Sequence, residues 1–167
     1  PQHRRQRQMC IRDRTSSRVR RLAFGGGDYT RDLGMEWSLS EEELLPIRSE
    51  FVLASRFGGL EPPIDTVFIH IKEHNAYLKS CQNVLKLGFQ GKMCIHPDQV
   101  AVTNETFTPS EEEVVWSKRV ISEFERAEAE GVASIQVDGY FVDYPIVEKA
   151  QRVVDMSNLL NDLASSK

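Results

Sequence analysis

The chain has 167 residues, enough for one domain with a hydrophobic core, and its 40% apolar and 28% charged composition is ordinary for a soluble globular protein. The net charge is −4. The three cysteines are few and odd in number and lack the paired spacing of a zinc site, which favours a reducing, cytoplasmic setting over a disulfide scaffold. No apolar run approaches the roughly 20 residues that span a bilayer, and residues 1–21 lack the apolar core of a secretory signal.

The charge is unevenly distributed along the chain. Residues 1–21 contain eight arginines and one aspartate, whereas the remainder contains 13 basic and 24 acidic residues. A basic arm can bind nucleic acid, but this one has no aromatic side chain that would stack on bases. We favour a second interpretation, in which residues 8–14 are translated sequencing adapter. Residues 1–18 are then a non-native or disordered arm, and residues 1–14 are excluded from the fold prediction.

The first predicted elements are a strand and a helix. Residues 20–24 form a β-like run that stops at three glycines, Gly25 to Gly27. Ser40 and Glu43 have the spacing of a capping box, which predicts a helix that begins at Ser40 and ends at Gly58.

The same alternation continues along the chain. Residues 65–71 predict a buried strand, and residues 91–97 predict a third strand. Between them, residues 75–87 predict a helix that ends at Gly88 and has Leu78, Cys81 or Gln82, and Leu85 on its apolar face. Apolar strands that alternate with helices are typical of parallel strands joined by crossover helices. This pattern predicts an α/β fold, and by itself it does not separate an open sheet from a barrel.

The pattern changes near the carboxyl terminus. Ser110 and Glu113 form a second capping box and predict a long helix. Residues 133–143 predict two short strands joined by an Asp-Gly turn, and a last helix follows. We therefore predict that residues 131–167 form a unit appended to the βα pattern.

Asp28 and His96 are the candidate functional residues at the strand ends. In parallel α/β proteins sites form where strands end, and a carboxylate such as Asp28 can bind Mg²⁺ there. Spacing alone leaves open whether Asp28 is a ligand or merely caps a turn, and the glycines before it lack dinucleotide-binding spacing. His96 before Pro97 can shuttle protons or lie in a rigid loop whose backbone binds a ligand, but taken alone it is favoured as a structural histidine. His70 and His74 lack a third metal ligand and are predicted to be solvated or structural.

Four segments in order resemble the citrate lyase β-subunit and malyl-CoA lyase family, which is related to the HpcH/HpaI aldolases. The segments are FGGGDYTRDLG at 24–34, GFQGKMCIHPDQV at 88–100, NETFTPS at 104–110 and DGYFVDYP at 138–145. The resemblance implies a (β/α)₈ TIM barrel with a C-terminal extension. Residues 19–130 would supply about strands 6–8 with their helices, and residues 131–167 the extension. The metal-ligand glutamate and the carboxylate-binding arginine of the family would lie in the preceding strands.

The resemblance also implies roles for particular residues. Asp28 matches the family's Mg²⁺ ligand, and Ile95 and His96 lie where the family contacts CoA, largely through backbone. Asp143 matches the aspartate that reaches into a neighbouring subunit's site, and we expect it to transfer the proton at the enolate carbon. A homotrimer or hexamer, or association with other citrate lyase subunits, is expected, without nucleic-acid or membrane partners.

The implied activity is Mg²⁺-dependent carbon–carbon cleavage of a 3-hydroxyacyl-CoA (citryl-, malyl- or citramalyl-CoA) to acetyl-CoA or another acyl-CoA and a 2-oxo acid. The sequence does not identify which of these is cleaved, and the chain alone is expected to be inactive. One alternative is a metal-dependent pyruvate-type aldolase of the same superfamily. A different class of protein, a non-catalytic CoA-binding or assembly subunit, is the other alternative.

Overall fold

The computed structural model describes residues 18–165. Most of the basic arm, with its two interpretations, lies outside these residues. The chain divides into two compact units between Phe107 and Thr108. The long helix that follows Ser110, which we had assigned to the barrel part, therefore groups with the extension. In the described part of the chain, no helix is long and apolar enough to cross a membrane.

The first unit contains a small parallel sheet. Strand β1 (Ile64–Asp65) pairs in parallel with β2 (Gly91–Lys92), and a parallel bridge joins Ala23 to Ile64. The strand order therefore places the 20–24 run beside β1 and β1 beside β2. Three consecutive parallel strand segments confirm the predicted α/β organisation.

Both named strands are shorter than predicted. The buried strand expected at 65–71 ends at Asp65, and the strand expected at 91–97 ends at Lys92. After β1 the backbone turns, with the N–H of Ile71 donating to the carbonyl of Ile69 at 3.1 Å, and both of these side chains are exposed. Hydrophobicity predicted the approximate position of the strand but overestimated its length.

The first unit has four α-helices and one 3₁₀ turn among its described residues. They are α1 (Gly26–Leu33), the 3₁₀ turn (Glu42–Leu44), α2 (Leu45–Phe57), α3 (His74–Leu87) and α4 (Pro97–Phe107). The helix predicted from Ser40 starts later, and Ser38 rather than Ser40 binds Glu43. The Ser38 hydroxyl donates to Glu43 Oε2 and its backbone N–H to Oε1, both at 2.7 Å. The predicted cap was thus displaced by two residues.

The buried face of helix α3 matches the predicted face only at Cys81. Tyr77, Cys81 and Val84 are buried, whereas Leu78 and Leu85 are more than 40% exposed. Gly88 ends the helix in the left-handed conformation, as predicted. Helix α4 was not predicted, and it packs Val102 and Phe107 against the cluster formed by Phe68, Tyr77 and Cys81.

The second unit is two helices and a hairpin. It contains α5 (Glu111–Ala129), β3 (Ile135–Val137), β4 (Tyr140–Val142) and α6 (Tyr144–Ser165). The predicted capping box of Ser110 and Glu113 is present with both of its hydrogen bonds. The antiparallel strands turn through Asp138 and Gly139, both at positive φ. The core of this unit comprises Val120, Phe124, Val137, Val142 and Ala150.

Candidate functional site

The carboxyl ends of the three parallel segments lie at one edge of the small sheet. The segment at 25–28 follows the first of them, the segment at 66–71 follows β1, and the segment at 93–96 follows β2. This edge is where parallel α/β proteins build their sites. Asp28, Ile95 and His96 all belong to these segments, so the fold brings three of the four predicted site residues to the same edge.

The first turn of α1 is attached to the residue that follows β1. The backbone N–H of Gly26 donates to the Thr66 hydroxyl at 2.9 Å, and Thr66 is buried. A Cβ at Gly26 would lie 2.8 Å from Thr66 Oγ1, closer than real Cβ atoms approach. Glycine is therefore required at position 26 so that the helix can begin against β1.

Asp28 lies in the first turn of α1, where a negative charge complements the helix dipole. Its side chain is 85% exposed and pairs with Arg31 at 3.3 Å. The glycines therefore open a helix and do not form a free loop, and Asp28 is directed into solvent at the site edge. Within residues 18–165, no three His, Cys, Asp or Glu side chains cluster as metal ligands would.

Ile95 is connected to the neighbouring loop through Gln99. The N–H of Ile95 donates to Gln99 Oε1, and Gln99 Nε2 donates to the carbonyl of Phe68, both at 2.9 Å. Because this N–H is already bonded within the chain, a ligand at Ile95 would use its carbonyl or its half-exposed side chain.

His96 precedes Pro97, which begins α4. Its Nδ1 accepts the N–H of Asp98 at 3.3 Å and lies 3.5 Å from Asp98 Oδ2. The ring is partly exposed, so a ligand can approach Nε2.

Asp143 belongs to the second unit. Its backbone carbonyl accepts the N–H groups of Ile146 and Val147 at 3.0 Å, so it begins α6. Its half-buried carboxylate has no hydrogen-bond or ion-pair partner within the described residues. An unpaired carboxylate of this kind remains available to accept a proton.

The sequence analysis missed a buried group of charges, which we call the ion cluster: Glu41, Arg48, Asp65 and Lys92. All four are at most 5% exposed. Arg48 donates from Nε and Nη2 to the two oxygens of Asp65, each at 2.9 Å, and Lys92 Nζ lies 2.5 Å from Asp65 Oδ2. Glu41 Oε2 accepts from Arg48 Nη2 at 2.9 Å and from the Ser80 hydroxyl.

The ion cluster contains two positive and two negative groups. Burial disfavours the charge on Arg48, but hydrogen bonds and attraction to Asp65 and then Glu41 outweigh it, so the pKa of Arg48 is raised. Asp65 and Lys92 are register partners of β1 and β2, and their side chains share a face of the sheet with Arg48 of α2 and Ser80 of α3. The sequence contained a signal for this cluster, since Asp65 and Lys92 are each a charged residue within an otherwise apolar strand segment.

The chain is similar to known proteins along most of its length. The family model described as HpcH/HpaI aldolase/citrate lyase matches residues 10–97. The citrate lyase subunit beta of Leuconostoc mesenteroides subsp. cremoris is 33% identical over 152 residues, which cover 91% of this chain and 50% of that protein. The chain belongs to the HpcH/HpaI aldolase/citrate lyase family.

Other relatives in the family are also named as lyases. The mitochondrial citramalyl-CoA lyase of Rattus norvegicus is 28% identical over 141 residues, 84% of this chain and 41% of that protein. The citrate lyase subunit beta of Escherichia coli K12 is 31% identical over 86% of this chain and 47% of that protein. The chain spans about half the length of the relatives it matches.

Solved structures show the same fold. A citrate lyase from Burkholderia xenovorans aligns over 93% of this chain and 50% of its own with a TM-score of 0.73 and 14% identity. The protein CitE of Mycobacterium tuberculosis, solved with magnesium, acetoacetate and coenzyme A, aligns over 81% of this chain and 51% of its own with a TM-score of 0.66 and 22% identity. These likenesses confirm an α/β fold of citrate lyase type.

Proposed function

We propose that this chain is the carboxyl-terminal part of a Mg²⁺-dependent carbon–carbon lyase. Its substrate would be a 3-hydroxyacyl-CoA such as citryl-, malyl- or citramalyl-CoA. The observation that carries the proposal is the position of Asp28: the aspartate of the FGGGD motif projects into solvent at the carboxyl edge of the parallel strands. The family membership and the lyase names of the relatives support this reading.

The residues at this edge fit a magnesium site that is completed by other ligands. A carboxylate oxygen is the ligand type that Mg²⁺ prefers, and Mg²⁺ is commonly bound by only one or two carboxylates. The Asp28 carboxylate has one weak partner, Arg31, which lies mostly in solvent. A surface ion pair of this kind contributes at most about 1 kcal/mol, so it does not prevent metal binding.

Each proposed site residue would have a separate role. Asp28 would bind the metal, which when present stabilises the charge that develops on the oxo-acid oxygens. Ile95 and His96 would contact the CoA portion, largely through their backbone. The substrate hydroxyl would lose its proton to solvent, and the C2–C3 bond would break to give the 2-oxo acid and the thioester enolate. The carboxyl group of Asp143 would then give its proton to the enolate carbon and regain one from solvent.

We further propose the architecture that this chemistry requires. Residues 19–130 would form about strands 6–8 of a (β/α)₈ barrel with their helices, in a cytoplasmic protein, and residues 131–167 would form its C-terminal extension. Asp143 would act in the site of a neighbouring subunit of a homotrimer or hexamer. The short parallel segments with exposed residues after β1 support this, since a partial barrel leaves apolar surface for the remaining strands to cover.

The metal-ligand role is tested with Asp28→Asn in the full-length lyase. We expect turnover to fall at least about 100-fold, because an electrostatic group aligned with developing charge is lost. Asp32→Asn is the matched control, since Asp32 is exposed on the same helix. Turnover of Asp28→Asn equal to that of the control at saturating Mg²⁺ would contradict the proposal.

The role of Asp143 is tested by mixing subunits. Asp143→Ala and Asp28→Asn proteins are each expected to be inactive, and their mixed oligomers are expected to regain activity through sites that combine one intact residue from each. Mass spectrometry establishes that subunits have mixed. No recovery in mixed oligomers would argue against a site shared between subunits.

A further inference from the structure

The second unit contains an open cleft between α5, the hairpin and α6, with a volume of about 460 Å³. Its walls are mainly apolar and include Trp116 of α5, Tyr140 and Phe141 of β4, and Ile146 of α6. The rings of Trp116 and Tyr140 meet edge to face, with their centroids 6.1 Å apart. Small-molecule sites have volumes of roughly 300–1,000 Å³ and walls of this composition. None of the four residues proposed for the lyase site lines this cleft.

Ser117 places an unpaired hydroxyl in the wall of the cleft. The residue is only 2% exposed and lines the cleft. The helical residues Ser55 and Thr106 each donate to the carbonyl oxygen four residues earlier at 2.8 Å, whereas the Ser117 hydroxyl has no hydrogen-bond partner within residues 18–165. In the same residues, the fully enclosed side-chain atoms without a partner belong to Arg21 and His70. The Ser117 oxygen is therefore not sealed inside the unit, and it is available to a molecule in the cleft.

Lys149 gives the cleft a positive charge. It is an exposed residue of α6 that lines the cleft, and it has no hydrogen-bond or ion-pair partner in the part of the chain that the structure describes. Glu113 also lines the cleft, but its Oε2 accepts the N–H of Ser110 at 2.9 Å in the capping box of α5. The ammonium group of Lys149 is therefore the charge that is free to bind a ligand, and it favours an anion.

We propose that this cleft is a binding site for a small aromatic carboxylate. The aromatic ring of the ligand would lie against Trp116 and the exposed rings of Tyr140 and Phe141, because aromatic side chains pack favourably on other rings. The carboxylate would pair with Lys149, and the Ser117 hydroxyl would form a hydrogen bond with a polar atom of the ligand. The inference goes beyond the proposed lyase activity, since it concerns residues of the second unit alone and requires no metal.

Isothermal titration calorimetry of the full-length protein with 2-naphthoate tests the inference. We expect saturable binding with a dissociation constant below about 1 mM. The neutral alcohol 2-naphthalenemethanol has the same rings without the charge, so we expect it to bind at least about fivefold more weakly. Weaker binding of 2-naphthoate than this, or equal affinities for the two probes, would overturn the inference.

Substitutions determine where the probe binds. Lys149→Gln removes the charge and keeps most of the apolar stem, so we expect it to weaken 2-naphthoate binding about tenfold. Lys118→Gln is the matched control, because Lys118 is exposed on α5 and does not line the cleft. Phe141→Ala removes an exposed aromatic wall and is expected to weaken the binding of both probes. Equal affinity in Lys149→Gln and Lys118→Gln would place the probe elsewhere and overturn the inference.

Sedimentation velocity separates a ligand site from a contact between copies of the chain. We expect Phe141→Ala to keep the oligomeric state of the unaltered protein while it loses affinity for 2-naphthoate. Dissociation of the oligomer in Phe141→Ala, together with no 2-naphthoate binding to the unaltered protein, would assign the cleft to a second copy and overturn the inference. Asp28→Asn is expected to bind 2-naphthoate normally, whatever its effect on turnover. Loss of binding in that variant would place the probe in the lyase site and would also overturn the inference.

Discussion

At the scale of single residues, the main feature of the first unit is the ion cluster, in which four charged side chains are buried together. Its two carboxylates and two cations balance in charge, and each buried oxygen or nitrogen that takes part has a partner at hydrogen-bond distance. Such a group need not be more stabilising than apolar residues of the same volume, because removing charges from water is costly. Loss of one member is different, since it leaves the remaining charges buried and unbalanced.

Arg48→Met is expected to lower the free energy of unfolding by about 3–5 kcal/mol, because Asp65 and Glu41 would lose their main cationic partner while buried. Urea unfolding followed by circular dichroism measures the change. Arg56→Met is the matched control, since Arg56 is exposed on the same helix α2. A difference of less than about 1 kcal/mol between the variants would show that the cluster does not behave as a buried ion group.

Glu43 provides a test of the cap that the sequence misplaced. Burial disfavours its charged form, but hydrogen bonds from the Ser38 hydroxyl and from backbone N–H groups outweigh this and lower the pKa of Glu43 below its ordinary 4.5. A carboxyl whose pKa is lower in the folded state stabilises the fold above its unfolded pKa. That stabilisation is lost as the pH falls through the folded value.

Ser38→Ala is therefore expected to raise the pKa of Glu43 and to reduce its contribution to stability above about pH 4.5. The carboxyl ¹³C shift of Glu43, followed against pH, measures this directly. Ser40→Ala is the control, because Ser40 bonds Ser38 and not Glu43. If the pKa of Glu43 changed more in Ser40→Ala than in Ser38→Ala, the result would instead support the capping box of Ser40 and Glu43 that the sequence predicted.

At the scale of elements, the start of α1 depends on a close contact that only glycine permits. Gly26→Ala is expected to destabilise the protein by about 1–3 kcal/mol, because the added methyl overlaps Thr66. Gly27→Ala is the matched control on the same turn. Its methyl would meet Trp37 at 3.6 Å, and alanine is the better helix former, so its stability should be unchanged or higher. Thermal unfolding of both variants measures the difference. Equal changes in stability for Gly26→Ala and Gly27→Ala would contradict the close approach of Gly26 to Thr66.

Local sequence signals predicted the start or end of an element correctly where a single short-range interaction determines that position. The capping box at Ser110 and Glu113, the stop at Gly88 and the Asp138–Gly139 turn each depend on neighbours within four residues. The buried face of α3 did not follow from spacing, because Leu78 and Leu85 have the same periodicity as Tyr77 and Val84. Which of two apolar stripes is covered depends on distant elements such as α4.

At the scale of the whole molecule, the second unit has a core of its own. Val120 and Phe124 of α5 pack with both hairpin strands and with Ala150 of α6. We expect residues 108–167 to fold as a separate polypeptide, with helical circular dichroism and cooperative thermal unfolding. Phe124→Ala is expected to abolish that transition, since truncation of a buried phenylalanine costs about 3–5 kcal/mol. A non-cooperative spectrum for the unaltered polypeptide would contradict an independent core.

The sequence by itself determined the family, the alternation of strands and helices, and the positions of Asp28, Ile95, His96 and Asp143 within motifs. These follow from local patterns of residue type, which need no knowledge of distant contacts. Tertiary structure alone decided that Asp28 opens a helix, that Gly26 is bonded to Thr66, and that Glu41, Arg48, Asp65 and Lys92 meet in the interior. Charged residues are usually exposed to solvent, so local sequence gives no reason to expect these four in the interior. They meet because β1 pairs with β2 and because α2 and α3 pack on the face of the sheet that carries Asp65 and Lys92.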